Sequence, residues 1–256
     1  MVGFMSTVGV LLIVKNEGKM LAKCLSSVAS WADQIVVVDS GSDDNTLDIA
    51  RSFTSEVYVH SEWPGFGRQR QIAQSYMSTE WVFAIDADEE VSEKLKESIL
   101  AAVKLNEPVL YQLDRLSSAF GKRISHSGWS PDWIVRLYPR ELASYNDALV
   151  HEKVVSDKSL GSKKLSGHLY HDTYSSLAHY SAKTTGYLKA WADDREGRKS
   201  SSVSKAISHA IVCFIKMYFV KRGFLDGRHG FILAWLAAHS TFYKYIDLWL
   251  REYQKK

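Results

Sequence analysis

"QIVVVDSGSDDNTLDIARSF" occupies residues 34–53 and contains one complete structural unit. Ile35 to Val38 are continuously apolar, as in a strand covered on both faces. The run ends in Asp39 and the turn-forming Ser40-Gly41-Ser42. Asp43, Asp44, Asn45 and Thr46 are helix-capping residues, and an amphipathic helix follows to Phe53. Strand, polar turn and helix in that order predict a parallel sheet packed by helices.

The neighbouring segments repeat the unit. "VGVLLIVK" (8–15) is a second apolar strand, and "NEGKMLAKCLSSVASW" (16–31) spaces Leu21, Cys24, Leu25 and Val28 as one helix face. "EVYVHS" (56–61), the polar helix "FGRQRQIAQSYM" (66–77), the strand "EWVFAID" (80–86) and the helix "SEKLKESILAAV" (92–103) complete a βαβαβαβα order. Ser92 is the expected N-cap of the last helix. The fold class is therefore α/β, Rossmann-like, with a mainly parallel sheet and helices on both faces.

After Pro108 the pattern changes. "VLYQLDRL", "WIVRLYP" and "LVHEKVV" are short alternating segments, read as antiparallel or edge strands. From about Ser175 the chain is expected to be helical to its end. The boundaries that follow are a domain over 1–175, with halves 1–107 and 108–175, and an α-helical appendage over 176–256. In "AISHAIVCFIKMYFV" (206–220), Ile207, Ile211, Phe214, Ile215, Tyr218 and Phe219 share one stripe, read mostly as a packed helical cap.

Composition narrows the function classes. The 256 residues are 46% hydrophobic and 24% charged, which excludes general disorder. The two cysteines, Cys24 and Cys213, form no metal-ligand pattern and suit a reducing compartment. No basic region precedes Val8–Val14, and Lys15-Asn16-Glu17 stands where a cleavage site would be, so a secretory leader is not expected and a cytoplasmic protein is. No stretch of about 18 uninterrupted apolar residues predicts a conventional membrane span. Charge is uneven: residues 1–162 hold 16 Lys/Arg and 22 Asp/Glu, whereas 201–256 hold 9 and 3. A basic, aromatic-rich terminal region suits an anionic lipid surface better than nucleic acid, which is not expected as a partner.

Ligands of open parallel sheets bind beyond the carboxyl ends of the strands. Here those ends are polar: Lys15-Asn16-Glu17, Asp39 to Asp44, and Asp86-Ala87-Asp88-Glu89-Glu90. Acids at three strand ends repel a bare phosphate. They suit ribose hydroxyls, base N–H groups and a divalent cation joining acid to phosphate. A plain turn and helix cap also explains Asp39-Ser40-Gly41-Ser42. Glu89, Glu90 and Glu93 are assigned to the start of the following helix. Asp86 and Asp88, two residues apart on an extended segment, are expected to share one face.

"LLIVKNE", "IVVVDSGSDDNT", "GFGRQRQIAQ" and "WVFAIDADE" occur in the order and spacing of family-2 glycosyltransferases of the GT-A fold, and residues 8–172 resemble that family. "LVHE", "LYHDTY" and "YFVKRGFLDGRHGFILA" look most like the bacterial lipopolysaccharide-core β-1,4-glucosyltransferases that act on inner-core heptose. The resemblance implies a UDP-sugar donor, a lipid-linked saccharide acceptor, a divalent metal (Mg2+ or Mn2+) and a place on the cytoplasmic face of the bacterial inner membrane. Residues 1–107 become the nucleotide-sugar half and 108–175 the acceptor half. It further implies that Asp39 binds uracil, that Asn16, Glu17, Ser40, Arg68 and Asp86 line the nucleotide-sugar site, and that Asp88 is the principal metal ligand. Asp86 and His171 join the metal, with His168 in reserve. Glu152 is the implied catalytic base, and "SGWSPDW" (127–133) falls at the acceptor loop. Arg68 and Arg70 either approach the diphosphate or only solvate their helix, and Glu152 otherwise pairs with Arg136 or Lys153. The chain departs from the family at Val14-Lys15 and at Arg70-Gln71.

Three other classes compete. A D-x-D phosphatase wants Thr or Val where Glu90 stands. A sugar nucleotidyltransferase wants a Gly-rich basic loop where this chain has "VKNEGK". A membrane-associated nucleotide-sugar binding module would not need acids at 86, 88 and 152.

Overall fold

The computed structural model describes residues 6–156 and 159–255. Strands and helices alternate through the first hundred residues: β1 (Val8–Val14), α1 (Leu21–Ser26), β2 (Gln34–Asp39), α2 (Thr46–Phe53), β3 (Val57–Val59), α3 (Phe66–Ser75) and β4 (Trp81–Ala84). Then come β5 (Glu89–Val91), α4 (Glu93–Leu105), β6 (Leu110–Ala119), β7 (Lys122–Arg123), β8 (Trp133–Pro139), β9 (Ser144–Tyr145), β10 (Val154–Val155) and β11 (Ser162–Tyr174). Three helices follow: α5 (Leu177–Arg195), α6 (Val203–Ile215) and α7 (Gly227–Gln254). A π turn over Lys216–Val220 and a 3-10 turn over Gly223–Asp226 join α6 to α7.

Among the described residues the main sheet runs β3-β2-β1-β4-β8-β6-β11-β5, with β7 beside β6. The first four strands are parallel, with Leu12 opposite Val37 and Val10 opposite Phe83. β8 is antiparallel to β4, β6 to β8, and β5 to β11. The expected parallel half is present and the later strands make the sheet mixed.

Both faces of β1 are covered, which is why its sequence is continuously apolar. Val8, Val10, Leu12 and Val14 pack with Leu21, Cys24 and Leu25 of α1 and with Leu95 and Ile99 of α4. Leu11 faces the other way, among Val36, Val38, Ala73 of α3 and Tyr138. Ser92 caps α4 as expected, its hydroxyl accepting from Leu95 N at 3.3 Å. Asn106 ends α4 in the left-handed region, and its side chain accepts from Trp81 Nε1 at 2.9 Å.

Two expectations change. The helix expected over 16–31 is only Leu21–Ser26, followed by turns in which Ser27 Oγ caps back on Cys24 O. Glu89 and Glu90 do not begin α4. They form β5, where Glu90 lies opposite Tyr170 and Glu89 opposite His171. Glu93 alone is the acid of the first helical turn.

The chain divides into two compact units, Met1–Arg115 with Asp132–His171, and Leu116–Pro131 with Asp172–Lys256. The sequence reading placed 116–131 in the first domain; these residues group with the helices because Asp226 holds them. Asp226 is buried, and its carboxylate accepts from Ser125 N (3.1 Å), His126 N (3.1 Å) and Ser127 Oγ (2.9 Å). Its carbonyl accepts from Lys122 Nζ at 2.7 Å. In the same unit Tyr245 is buried and stacks on His209, 4.3 Å between ring centres. The stripe expected to be a packed cap is instead largely open to solvent: Ile207, Ile211, Ile215 and Phe219 are each about half exposed.

Candidate active site

The loops at the carboxyl ends of β1 and β2 are stitched to each other. Asn16 sits in the left-handed region (φ 57°), a conformation Asn tolerates. Its N–H donates to Ser42 Oγ (2.8 Å) and its Oδ1 accepts from Asp43 N (2.9 Å). Glu17 N donates to Thr46 Oγ1 at 2.8 Å. Asp39 lies fully buried beneath its turn. Its Oδ1 accepts from Gly41 N and Ser42 N, both at 2.8 Å, and its Oδ2 from the Ser42 hydroxyl. Ser40, also buried, accepts from Gln69 Nε2 at 3.0 Å. Asp39 and Ser40 thus shape the loop from below.

The second cluster is ionic. Arg70 of α3 is buried and reaches two acids, Asp86 through Nη2 and Glu152 through Nε at 3.0 Å. Arg136 of β8 is also buried and donates to Asp86 Oδ2 at 2.5 Å and to Glu89 Oε1 at 3.4 Å. Arg115 extends the array, 3.7 Å from Glu89 Oε1 and bonded to Asp132 Oδ2 at 2.7 Å. Burial alone would raise the Asp86 carboxyl; Arg136 and then Arg70 override it and hold that group well below the usual carboxylate range. Burial raises Glu89, and Arg136 offsets this only in part.

A glycine lets this cluster assemble. A Cβ on Gly67 would lie 1.8 Å from Asn146 O, so only glycine allows the loop carrying Glu152 to close on α3. There Gly67 N donates to Ala148 O at 3.0 Å. Asp86, Arg136, Tyr145, His151, Glu152 and Trp133 line a cavity of about 530 Å³, large enough for a saccharide unit. Arg70 Nε holds Glu152 Oε1, and Oε2 has no hydrogen-bond partner among the described residues.

The third element is a pair. Pairing of β5 with β11 sets His171 opposite Glu89, and His171 Nε2 lies 3.2 Å from Asp88 Oδ2. A carboxylate oxygen and an imidazole nitrogen suit Mn2+ or Mg2+ when substrate oxygens complete the shell. Among the described residues no third Asp, Glu, His or Cys joins a metal-binding group. His168, the reserve ligand, instead faces Asp114 at 3.3 Å.

The sequence reading is corrected at four points. Asp86 and Asp88 do not share a strand face, because β4 ends at Ala84 and Glu89 N closes a turn onto Asp86 O at 3.0 Å. Asp86 does not fit a metal ligand, because each carboxylate oxygen already faces a guanidinium that would repel a cation. Arg68 is exposed and bonds Gln71 (2.7 Å), outside the cavity. Glu152 pairs with Arg70, not with Arg136 or Lys153. Arg70, Arg136 and Glu89 were named for other roles, and their joint ionic cluster around Asp86 was not expected. An arginine between apolar neighbours in "WIVRLYP" is the signal that marks Arg136.

Removing the Asp86 charge leaves two buried guanidiniums short of a counterion. Asp86→Asn is expected to cost roughly 3–5 kcal/mol of stability, measured by denaturant unfolding at neutral pH. The depressed folded pKa makes this contribution present above the unfolded value of about 3.9 and lost as pH falls through the folded one. The gap between wild type and variant should therefore narrow only in strong acid; a gap that closes near pH 6 would contradict the assignment.

A mixed sheet with helices on both faces, followed by a helical region, is a GT-A-like fold. The chain belongs to glycosyl transferase family 2, whose model matches residues 9–161. An uncharacterized glycosyltransferase of Rickettsia typhi is 30% identical, over 95% of this chain and 87% of its own length. The lipopolysaccharide core biosynthesis glycosyltransferase LpsC of Rhizobium meliloti is 26% identical, over 91% of each chain. Among solved structures, TarS (residues 1–349) of S. aureus aligns over 98% of this chain and 92% of that one, with 13% identity and a TM-score of 0.47.

Proposed function

We propose that the protein transfers a sugar, glucose as the first candidate, from a UDP-sugar to a heptose of the lipopolysaccharide inner core, with inversion at the anomeric carbon. The observation that carries the reading is Glu152, held by Arg70 at the wall of the cavity, with one carboxylate oxygen left for a proton. Likeness to LpsC supports a lipopolysaccharide acceptor.

In this reading the acceptor enters between Trp133, Tyr145 and Glu152. Glu152 takes the proton of the attacking hydroxyl as the new glycosidic bond forms and the bond to the diphosphate breaks. Arg70 fixes the carboxylate so that little orientation is lost on binding. Asp88 and His171 would hold the cation, whose chemistry there is to neutralise the charge gathering on the departing UDP. Asn16, Glu17 and the turn above Asp39 frame the nucleotide. Attack opposite the leaving group turns an α-linked donor into a β-glycoside.

The test is a panel of UDP-sugars offered with truncated lipopolysaccharide cores, with and without Mn2+, reading UDP release and product mass. Acceptor-dependent UDP release that requires Mn2+ is expected. Pyrophosphate release would mark a nucleotidyltransferase instead, and binding with no turnover on any acceptor would mark a binding module.

A further inference from the structure

The joint between α6 and α7 combines two properties that soluble surfaces keep apart. Phe219, Val220, Phe224 and Leu225 are exposed by 56%, 68%, 46% and 54%. Lys216, Lys221, Arg222 and Arg228 are exposed among them. The acid of this stretch, Asp226, is buried, and its carboxylate accepts from Ser125, His126 and Ser127. What solvent meets here is therefore apolar and basic, with no exposed acid between residues 216 and 228.

The apolar character continues along both helices. Ile207, Ile211, Phe214, Trp235, Ala238 and Phe242 line a groove of about 330 Å³ between α6 and α7. Trp235 is 62% exposed and its ring packs edge-on against Phe214 at 6.0 Å. Val203–Val220 is long and apolar enough to cross a membrane, with a mean hydropathy of 1.4, and only 6% of it is buried. Large apolar surface left open on a folded chain marks an interaction site.

We propose that residues 216–228 and the adjoining α6–α7 groove form a surface that seats on an anionic lipid bilayer. Charge complementarity selects the occupant. Aromatic and aliphatic side chains enter the acyl boundary while the four basic side chains meet headgroup phosphates. Lys216 within the apolar run, and the basic corner beyond it, favour lying in the interface over crossing it. Tyr245, buried at 6% exposure, takes no part in this surface. The surface stands independently of the transfer reading.

The test is co-sedimentation of the full chain with phosphatidylcholine vesicles, with and without phosphatidylglycerol. Binding to the anionic vesicles alone, reversed by high salt and by alkaline carbonate, is expected. Lys221→Ala with Arg222→Ala should weaken partitioning on the order of 30-fold, and Phe219→Ser with Phe224→Ser should abolish retention at moderate salt. All four side chains are exposed, so melting curves should stay unchanged. Equal binding to neutral vesicles, or none to either, overturns the proposal. So does carbonate-resistant retention, which means a spanning helix. Self-association without lipid that these substitutions remove also overturns it, since the occupant is then a second copy.

Discussion

Glutamine in place of Glu152 is expected to lower transfer by about 10²–10⁴-fold while UDP-sugar binding is kept. The amide has the carboxylate's shape, and its oxygen still accepts from Arg70 Nε, so the loop closed over Gly67 stays where it is. What it loses is the ability to take a proton. Turnover and donor affinity, measured separately by steady-state kinetics and calorimetry, should therefore part company. Equal loss of both would mean a structural role. Unchanged turnover would move the base elsewhere, and the structure offers poor substitutes. Asp132 is tied to Arg115 by two bonds (2.9 and 2.7 Å), and Asp147 is mostly exposed beside Gln71.

Asp88→Ala should be a change of comparable severity. If a cation neutralises the leaving diphosphate, the loss of its carboxylate ligand removes several kcal/mol of transition-state stabilisation, roughly a 10³-fold fall in rate. Asp88 lies in a turn with its side chain partly exposed, and its partner His171 is held by strand pairing, so the fold should survive. Mn2+ binding followed by electron paramagnetic resonance gives a readout besides activity. The variant should bind Mn2+ with UDP much more weakly and melt as wild type does. Full Mn2+ affinity in the variant would place the metal elsewhere.

How far the sequence could be read follows from its physics. β1, β2 and β4 are apolar on both faces and end in turn residues, so their order and the position of the site at their ends are local information. Ser92 is equally local: it caps α4 whatever else happens. Asp88 with His171 required the pairing of β5 with β11, which no local pattern encodes; only the resemblance pointed there. Glu89 was misassigned because an acid beside a helix start and an acid buried under two arginines look alike in "DADEEVS". The burial of Arg70 and Arg136 was not foreseen for the same reason, since burial of a charge depends on partners far along the chain. The apolar stripe of α6 had the right period for a core face, but periodicity does not say whether protein or lipid covers it. Residues 116–131 join the helical unit through Asp226, about a hundred positions away.

Product stereochemistry is the decisive measurement for inverting transfer with Glu152 as the base. Proton NMR of the saccharide formed from UDP-glucose and a truncated inner-core acceptor should show a β-anomeric linkage, made only with a divalent cation present and lost in Glu152→Gln. An α-linked product, or transfer that persists without any divalent cation, would contradict it.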